Sequence, residues 1–307
     1  KETVINSATF LAIENPSTDV ARYRAGDLDM TNYGLPPEQF AKLQKELPGE
    51  VYITRTLATY SYELNNKKAP FDNVNIRKAL NLSLDRNVIT DKVLGQGQTP
   101  TYVFTPTYIE EGHLIQQPAY SKEPMAQRNE EAIKLLEEAG YNKANPLKFT
   151  ILYNTNENHK KVAIAAASMW KANTKGLIDV KLENQEWKTY IDSRRAGRYD
   201  AARAGWNADY NQATTFGNYF LSNSSNNTAK YANPEYDKAI AESYVATDAE
   251  GRAKAYAKAE EILAKDFGIV PIFNYVNPRL VKPYVKGYSG KDPQDHIYLR
   301  NLYIIKH

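Results

Sequence analysis

The sequence predicts an α/β fold, a mixed sheet flanked by helices, and three observations carry that expectation. Between residues 147 and 206, short β-branched runs and longer helical stretches alternate as β-α-β-α-β. That is the pattern of parallel strands joined by crossover helices. Two further helical stretches, about 234–246 and 249–266, lead into an apolar run, "IVPIFNYV", at 269–276. The apolar share is 42% of 307 residues, enough for a buried core in a chain long enough for two packed units.

Taken in order, residues 3–13 ("TVINSATFLAI") read as a strand closed by the turn residues "ENPSTD". "TDVARYRAGDLDM" reads as a short helix with Thr18 or Asp19 as its cap, and 35–47 as a second helix opened by prolines and closed by Pro48-Gly49. Strands are expected at 51–56 and 59–65, then one long helix over 74–94 with Ile76, Leu80 and Leu84 on one face. Residues 95–126 show no period and read as a long ordered loop. The helix at 127–141 ends at Gly140. Then come strand 147–154, helix 159–176, strand 177–184, helix 187–197 and strand 199–206. Residues 277–307 carry short extended pieces.

Composition removes several function classes. Net charge is +3 with both signs interleaved, so no nucleic-acid footprint is expected. Cysteine is absent, which excludes disulfides, thiol catalysis and cysteine metal sites. No run approaches the roughly 20 apolar residues of a membrane helix. Residues 1–4 read as the middle of a strand and not as a signal peptide, so a cut chain is expected. Tyrosine is abundant, 23 residues against nine Phe. It suits surfaces that are both sticky and wet, and equally a Tyr-rich core.

The usual catalytic and cofactor signatures are missing. The four histidines, at 113, 159, 296 and 307, are dispersed, and there is no HExxH, P-loop or GxSxG. "GQGQTP" at 95–100 carries Pro100 where a dinucleotide loop needs its third glycine. No cofactor and no enzymatic activity are expected. A peptidase would need a nucleophile–base pair or a metal, and a chaperone-like role for the Tyr-rich surface stays open.

What remains are single charged and aromatic residues at strand ends. Ligands of open α/β sheets sit beyond the carboxyl ends of the strands. Strand 199–206 ends at Trp206, which places Asp209 where a ligand cation would be met. His159 follows strand 147–154, and Arg194 lies in the helix before 199–206. Together they suit a zwitterion such as an amino acid or a peptide. Each also has a plain structural role open to it. Asp209 could cap a helix starting near Tyr210–Gln212. His159 could cap its helix, Arg194 beside Arg195 could face solvent, and Trp187 and Trp206 could be core.

Several long segments carry a resemblance. "EWKTYIDSRRAGRYDAARAGWNADYNQATTF", "FLSNSSNNTAKY" and "NYVNPRLVKPYVKGYSGKDPQDHIYLRNLYIIKH" resemble the periplasmic oligopeptide-binding proteins of ABC importers. "TDVARYRAGDLDMTN", "YELNNKKAPFDNVNIRKALNLSLDR" and "RNEEAIKLLEEAGY" agree with the same family, so the likeness covers essentially the whole chain. It implies a type II periplasmic-binding-protein fold, of which this chain is the carboxy-terminal portion. Residues 1–57 would be part of the first lobe, 58–276 the second lobe, and 277–307 the return to the first.

The resemblance also implies roles. Asp209 pairs with the peptide ammonium, and Ala204, Gly205, Trp206 and Asn207 form the strand the peptide lies along. Arg194 and His159 serve the peptide carboxylate. Trp187, Trp206 and Tyr275 are aromatic pocket walls, Glu63 an acidic pocket residue, and Arg203 a support for the site. The implied partners are a short peptide and an inner-membrane ABC permease, with a periplasmic location (a cell-surface lipoprotein in Gram-positive-type relatives) and a monomeric state. Two departures stand out: Leu94 where the family carries a lysine, and Asn207 where relatives often carry cysteine. The first leaves room for a narrower ligand such as a murein tripeptide.

Overall fold

The computed structural model describes residues 4–13, 15–32 and 34–306. They fall into two compact units: residues 1–56, 94–98 and 275–307 form one, and residues 57–93 and 99–274 the other.

In the first unit, helix α1 (Pro16–Ala25) is capped by Asn15, whose side chain accepts from the Ser17 and Thr18 amides, and it stops at Gly26, φ 87°. The cap is therefore Asn15 and not Thr18 or Asp19. Helix α2 (Pro37–Glu46) packs Phe40 and Leu43 with Val20, Tyr23, Leu35 and Leu280 in a small core. The strand expected at 3–13 does not form over 4–13, while Thr3 lies outside the described residues. No described strand pairs with residues 4–13, and β-branched side chains alone do not make a ladder. Strands β7 (Val285–Lys286) and β8 (Tyr303–Ile304) pair antiparallel.

The second unit is built on a mixed sheet in the order β2-β6-β1-β5-β3-β4. Strand β1 (Val51–Leu64) is one continuous element where the sequence suggested two. Its residues 57–64 belong to this unit. β2 is the short Thr99–Pro100 pair within the expected loop. β3 (Leu147–Asn154), α5 (Glu157–Asn173), β4 (Ile178–Gln185), α6 (Trp187–Arg195) and β5 (Ala201–Asn207) realise the expected alternation. β3 is parallel to both β4 and β5, while β1 runs antiparallel to β5.

The helix expected over 74–94 is two pieces: α3 (Val74–Leu82) and a π-type stretch from Val88 to Leu94. The break has a side-chain cause. Ser83 Oγ donates back to the Ala79 carbonyl, and Asp85 Oδ1 accepts from the Asn87 and Val88 amides. The buried Arg86 guanidinium donates to the Asn81 and Leu84 carbonyls that the ended helix leaves open. A smooth apolar period hides such polar stops.

Helix α4 (Met125–Glu138), the four-residue α7 (Thr214–Gly217), α8 (Pro234–Val245), α9 (Ala249–Lys265) and β6 (Ile269–Leu280) complete the set. The main core joins Phe216, Tyr219 and Phe220 to Tyr236 and Ile240 of α8, Tyr256 and Leu263 of α9, and Ile269. Trp206, at the end of β5, packs on this cluster, so the strand end rests on a rigid floor.

Candidate functional site

The site is the carboxyl end of β5. On one side β5 pairs with β1 along its whole length, from Leu64↔Ala201 to Ala58↔Asn207. On the other side the pairing with β3 is limited to Ile151↔Ala201 and Leu152↔Ala202. From Arg203 to Asn207 no described strand pairs with that edge. Backbone amides and carbonyls along such an edge can take up an extended chain as an added strand.

Opposite charges mark the two ends of the open segment. At its start, Arg203 is half-buried, with its guanidinium carbon 5.2 Å from the centre of the Tyr60 ring and Nη1 3.4 Å from Asn154 Oδ1. Tyr60 is fully buried and stacks on Phe273 at 4.7 Å, and the His159 ring lies 5.6 Å from it. Burial, and secondarily the charge of Arg203, push the His159 imidazole down to about 2. It is neutral at any ordinary pH, so Arg203 is the permanent cation of this pair. His159 is not the cap of α5: Asn156 is, accepting from the Asn158 and His159 amides.

Beyond the other end, Asp209 is exposed. The helix that follows starts at Thr214 with Ala213 as its cap residue, so Asp209 does not cap it. Its side chain meets the Thr215 hydroxyl instead, at 3.3 Å. The Trp206 indole donates to the same hydroxyl at 3.2 Å and packs edge-on against Tyr219, centroids 4.9 Å apart. Ala204 is buried, Gly205 and Trp206 half-buried and Asn207 exposed. The open edge therefore grades outward along the strand.

Two roles expected from the sequence are corrected by burial. Arg194 was expected at a ligand carboxylate and Glu63 in a ligand pocket, but they face each other. Arg194 Nη2 lies 2.8 Å from Glu63 Oε2, with side-chain exposures of 9% and 1%. Tyr219 Oη donates to Glu63 Oε1 at 2.6 Å, and Thr228 donates to Oε2. The Arg194 guanidinium also donates to Tyr219 and Thr228. The Glu63 charge holds the Arg194 guanidinium protonated well above its usual range, against the opposing effect of burial. This is a closed pair inside the unit.

Arg203, expected only as support, is the arginine at the open edge. The exchange has a simple origin. Arg194 sits on α6, whose inner face covers the sheet, while Arg203 sits on the strand itself past the end of its β3 pairing.

Trp187 is 58% exposed at the first turn of α6, its ring 5.8 Å from Tyr190. The Tyr190 hydroxyl donates to the Arg203 carbonyl, so this aromatic pair borders β5 through Tyr190. Tyr275 belongs to the other unit, where its carbonyl accepts from the Thr56 hydroxyl at 3.2 Å. Sequence reasoning did not single out Tyr60, Asn154, Thr215 or Tyr219. Tyr60, Asn154 and Tyr219 lie outside the quoted segments, and Thr215 lies within one of them without any chemical signature to mark it.

Comparison with known proteins agrees with this architecture. The periplasmic oligopeptide-binding protein OppA of Haemophilus influenzae is 97% identical over 307 residues, which is 100% of this chain and 57% of that protein. The periplasmic murein peptide-binding protein MppA of Escherichia coli is 44% identical, over 100% of this chain and 56% of that protein. A crystal structure of Haemophilus influenzae OppA in complex with RPPGFSPFR superposes with a TM-score of 0.93 at 96% identity, covering 99% of this chain and 59% of that one. The chain thus spans a little over half the length of the relatives it matches. A family model, the middle part of the bacterial extracellular solute-binding proteins of family 5, matches residues 1–228, and the chain belongs to that family.

Proposed function

We propose that this chain is part of a periplasmic solute-binding protein that captures short peptides and delivers them to the permease of an ABC importer. The observation that carries the reading is the open edge of β5, with Arg203 at its start and Asp209 beyond its end. An extended peptide laid antiparallel to β5 puts its ammonium at Asp209 and its carboxylate toward Arg203 and His159. Arg203 and Asn207 are four residues apart, about 13 Å at the usual rise of a strand, which suits a ligand of a few residues. Backbone pairing is indifferent to side chains, so length and terminal charge dominate selection.

In this reading residues 57–93 and 99–274 are the second lobe, and the other unit belongs to the first lobe. Trp187 then serves as an aromatic wall beside β5. The protein acts as a monomer and needs no cofactor. Identity of 97% to an oligopeptide binder against 44% to a murein-peptide binder favours general peptide capture over a murein tripeptide.

The test is calorimetry with trialanine, using this sequence within a chain of its relatives' full length. Asp209→Ala should weaken binding by about 2–5 kcal/mol, the cost of truncating one member of a desolvated charge pair. Unchanged affinity would sink the assignment. Hydrolysis of labelled trialanine would point to a peptidase. Binding that ignores a free amine would point to a chaperone-like surface.

A further inference from the structure

We infer that Thr215 is the positioning residue of the ammonium site, holding Asp209 and Trp206 in one fixed geometry; this rests on the reading of Asp209 given above. Thr215 is 4% exposed, although it lies next to an exposed acid. Its hydroxyl has one proton to donate and two lone pairs to accept with, and all three are engaged. It donates to Asp209 Oδ2 at 3.3 Å. It accepts from the Asp209 amide at 3.2 Å and from Trp206 Nε1 at 3.2 Å. Both partners lie at or beyond the end of β5, and Thr215 comes from α7. One side chain therefore ties the carboxylate, its own backbone and the aromatic wall to a helix anchored in the main core by Phe216.

An exposed aspartate alone samples several rotamers, and a ligand must pay the entropy of choosing one. Thr215 removes that choice before the ligand arrives. The Thr215 hydroxyl is a neutral donor to Oδ2, so it orients the carboxylate without neutralising it. Contact between a ligand and Thr215 is not needed, so the residue governs how well an amine is distinguished and not whether a peptide fits.

The experiment measures the affinity of trialanine and of its N-acetyl form by calorimetry, again in a chain of the relatives' full length. The readout is the ratio of the two affinities. Thr215→Val removes all three hydrogen bonds and should lower the ratio about tenfold. Thr215→Ser, which keeps the hydroxyl, should restore it to within about twofold of wild type, on the factor of ten that 1.4 kcal/mol represents. Thr215→Ala serves in place of Val if the latter lowers the thermal midpoint sharply. In an Asp209→Asn background, Thr215→Val should change the ratio no further.

Equal weakening of both peptides by Thr215→Val would show a merely structural role and overturn the proposal, as would an unchanged ratio. A wild type that does not distinguish the two peptides would overturn the reading of Asp209 itself, and this proposal with it.

Discussion

Two charge sites in the second unit use the same residue chemistry to opposite ends. Glu63 and Arg194 meet inside the protein at 2.8 Å, and Tyr219 and Thr228 each bond to both members of the pair. Arg203 and Asp209 instead flank an open strand edge, one half-buried and one exposed. In the first pair each charge answers the other, and both side chains are shut away from solvent. The second pair lies at the two ends of the open segment, Arg203 at its start and Asp209 two residues past its last residue, and in the function proposed above a short peptide spans them. Tyr219 links the two, donating to Glu63 while supporting Trp206 with its ring. The closed pair is thus part of the floor on which the open pair stands.

The contrast can be broken most forcefully at the closed pair. Glu63→Gln leaves the Arg194 charge buried without its counter-ion and should cost about 3–5 kcal/mol of stability, measured by urea denaturation. A loss under about 1 kcal/mol would mean that the pair is not closed. A smaller effect is expected at the open edge. Arg203→Met should remove about 1.5–3 kcal/mol of preference for trialanine over trialanine amide, the usual worth of a hydrogen bond to a charged group. It should leave stability nearly intact. If Arg194→Met had that selective effect and Arg203→Met did not, the two arginines would have to exchange roles.

The smallest effect concerns His159. Its ring, held down to about 2 against an ordinary 6.5, stays neutral in the folded chain and takes up a proton on unfolding below pH 6.5. Its contribution is complete above pH 6.5 and is lost as the pH falls from there toward 2. Wild type should therefore lose up to about 1 kcal/mol between about pH 6.5 and 5.5 that His159→Gln does not lose. Parallel stability profiles for the two proteins would place the ring in solvent.

Much of the fold was legible because local signals were strong and agreed. The alternation from β3 to β5 showed itself through changes of period, and Gly140 at φ 90° follows the last turn of α4. The single helix expected over 74–94 fails because Ser83, Asp85 and Asn87 interrupt an apolar pattern that otherwise runs on. The strand expected over 3–13 fails over its described part because β-branched residues signal a strand without naming a partner for it.

Asp209 and the strand Ala204–Asn207 were visible as a candidate site from their place at a strand end and from family resemblance. The different placement of Arg194 and Arg203 was not. Both are arginines within the segment "SRRAGRYDAARAG", and no local rule separates a cation that closes on a buried acid from one set at an open strand edge.

The sequence by itself determined the α/β alternation, the exclusion of thiol chemistry and the position of an acid just past a strand. These depend on residue type and on spacing along the chain. Only the tertiary structure decided that Glu63 closes on Arg194, that the pairing of β5 with β3 stops at Ala202, and that Thr215 reaches Asp209 and Trp206 together. Those facts depend on which groups arrive at the same place from distant parts of the chain.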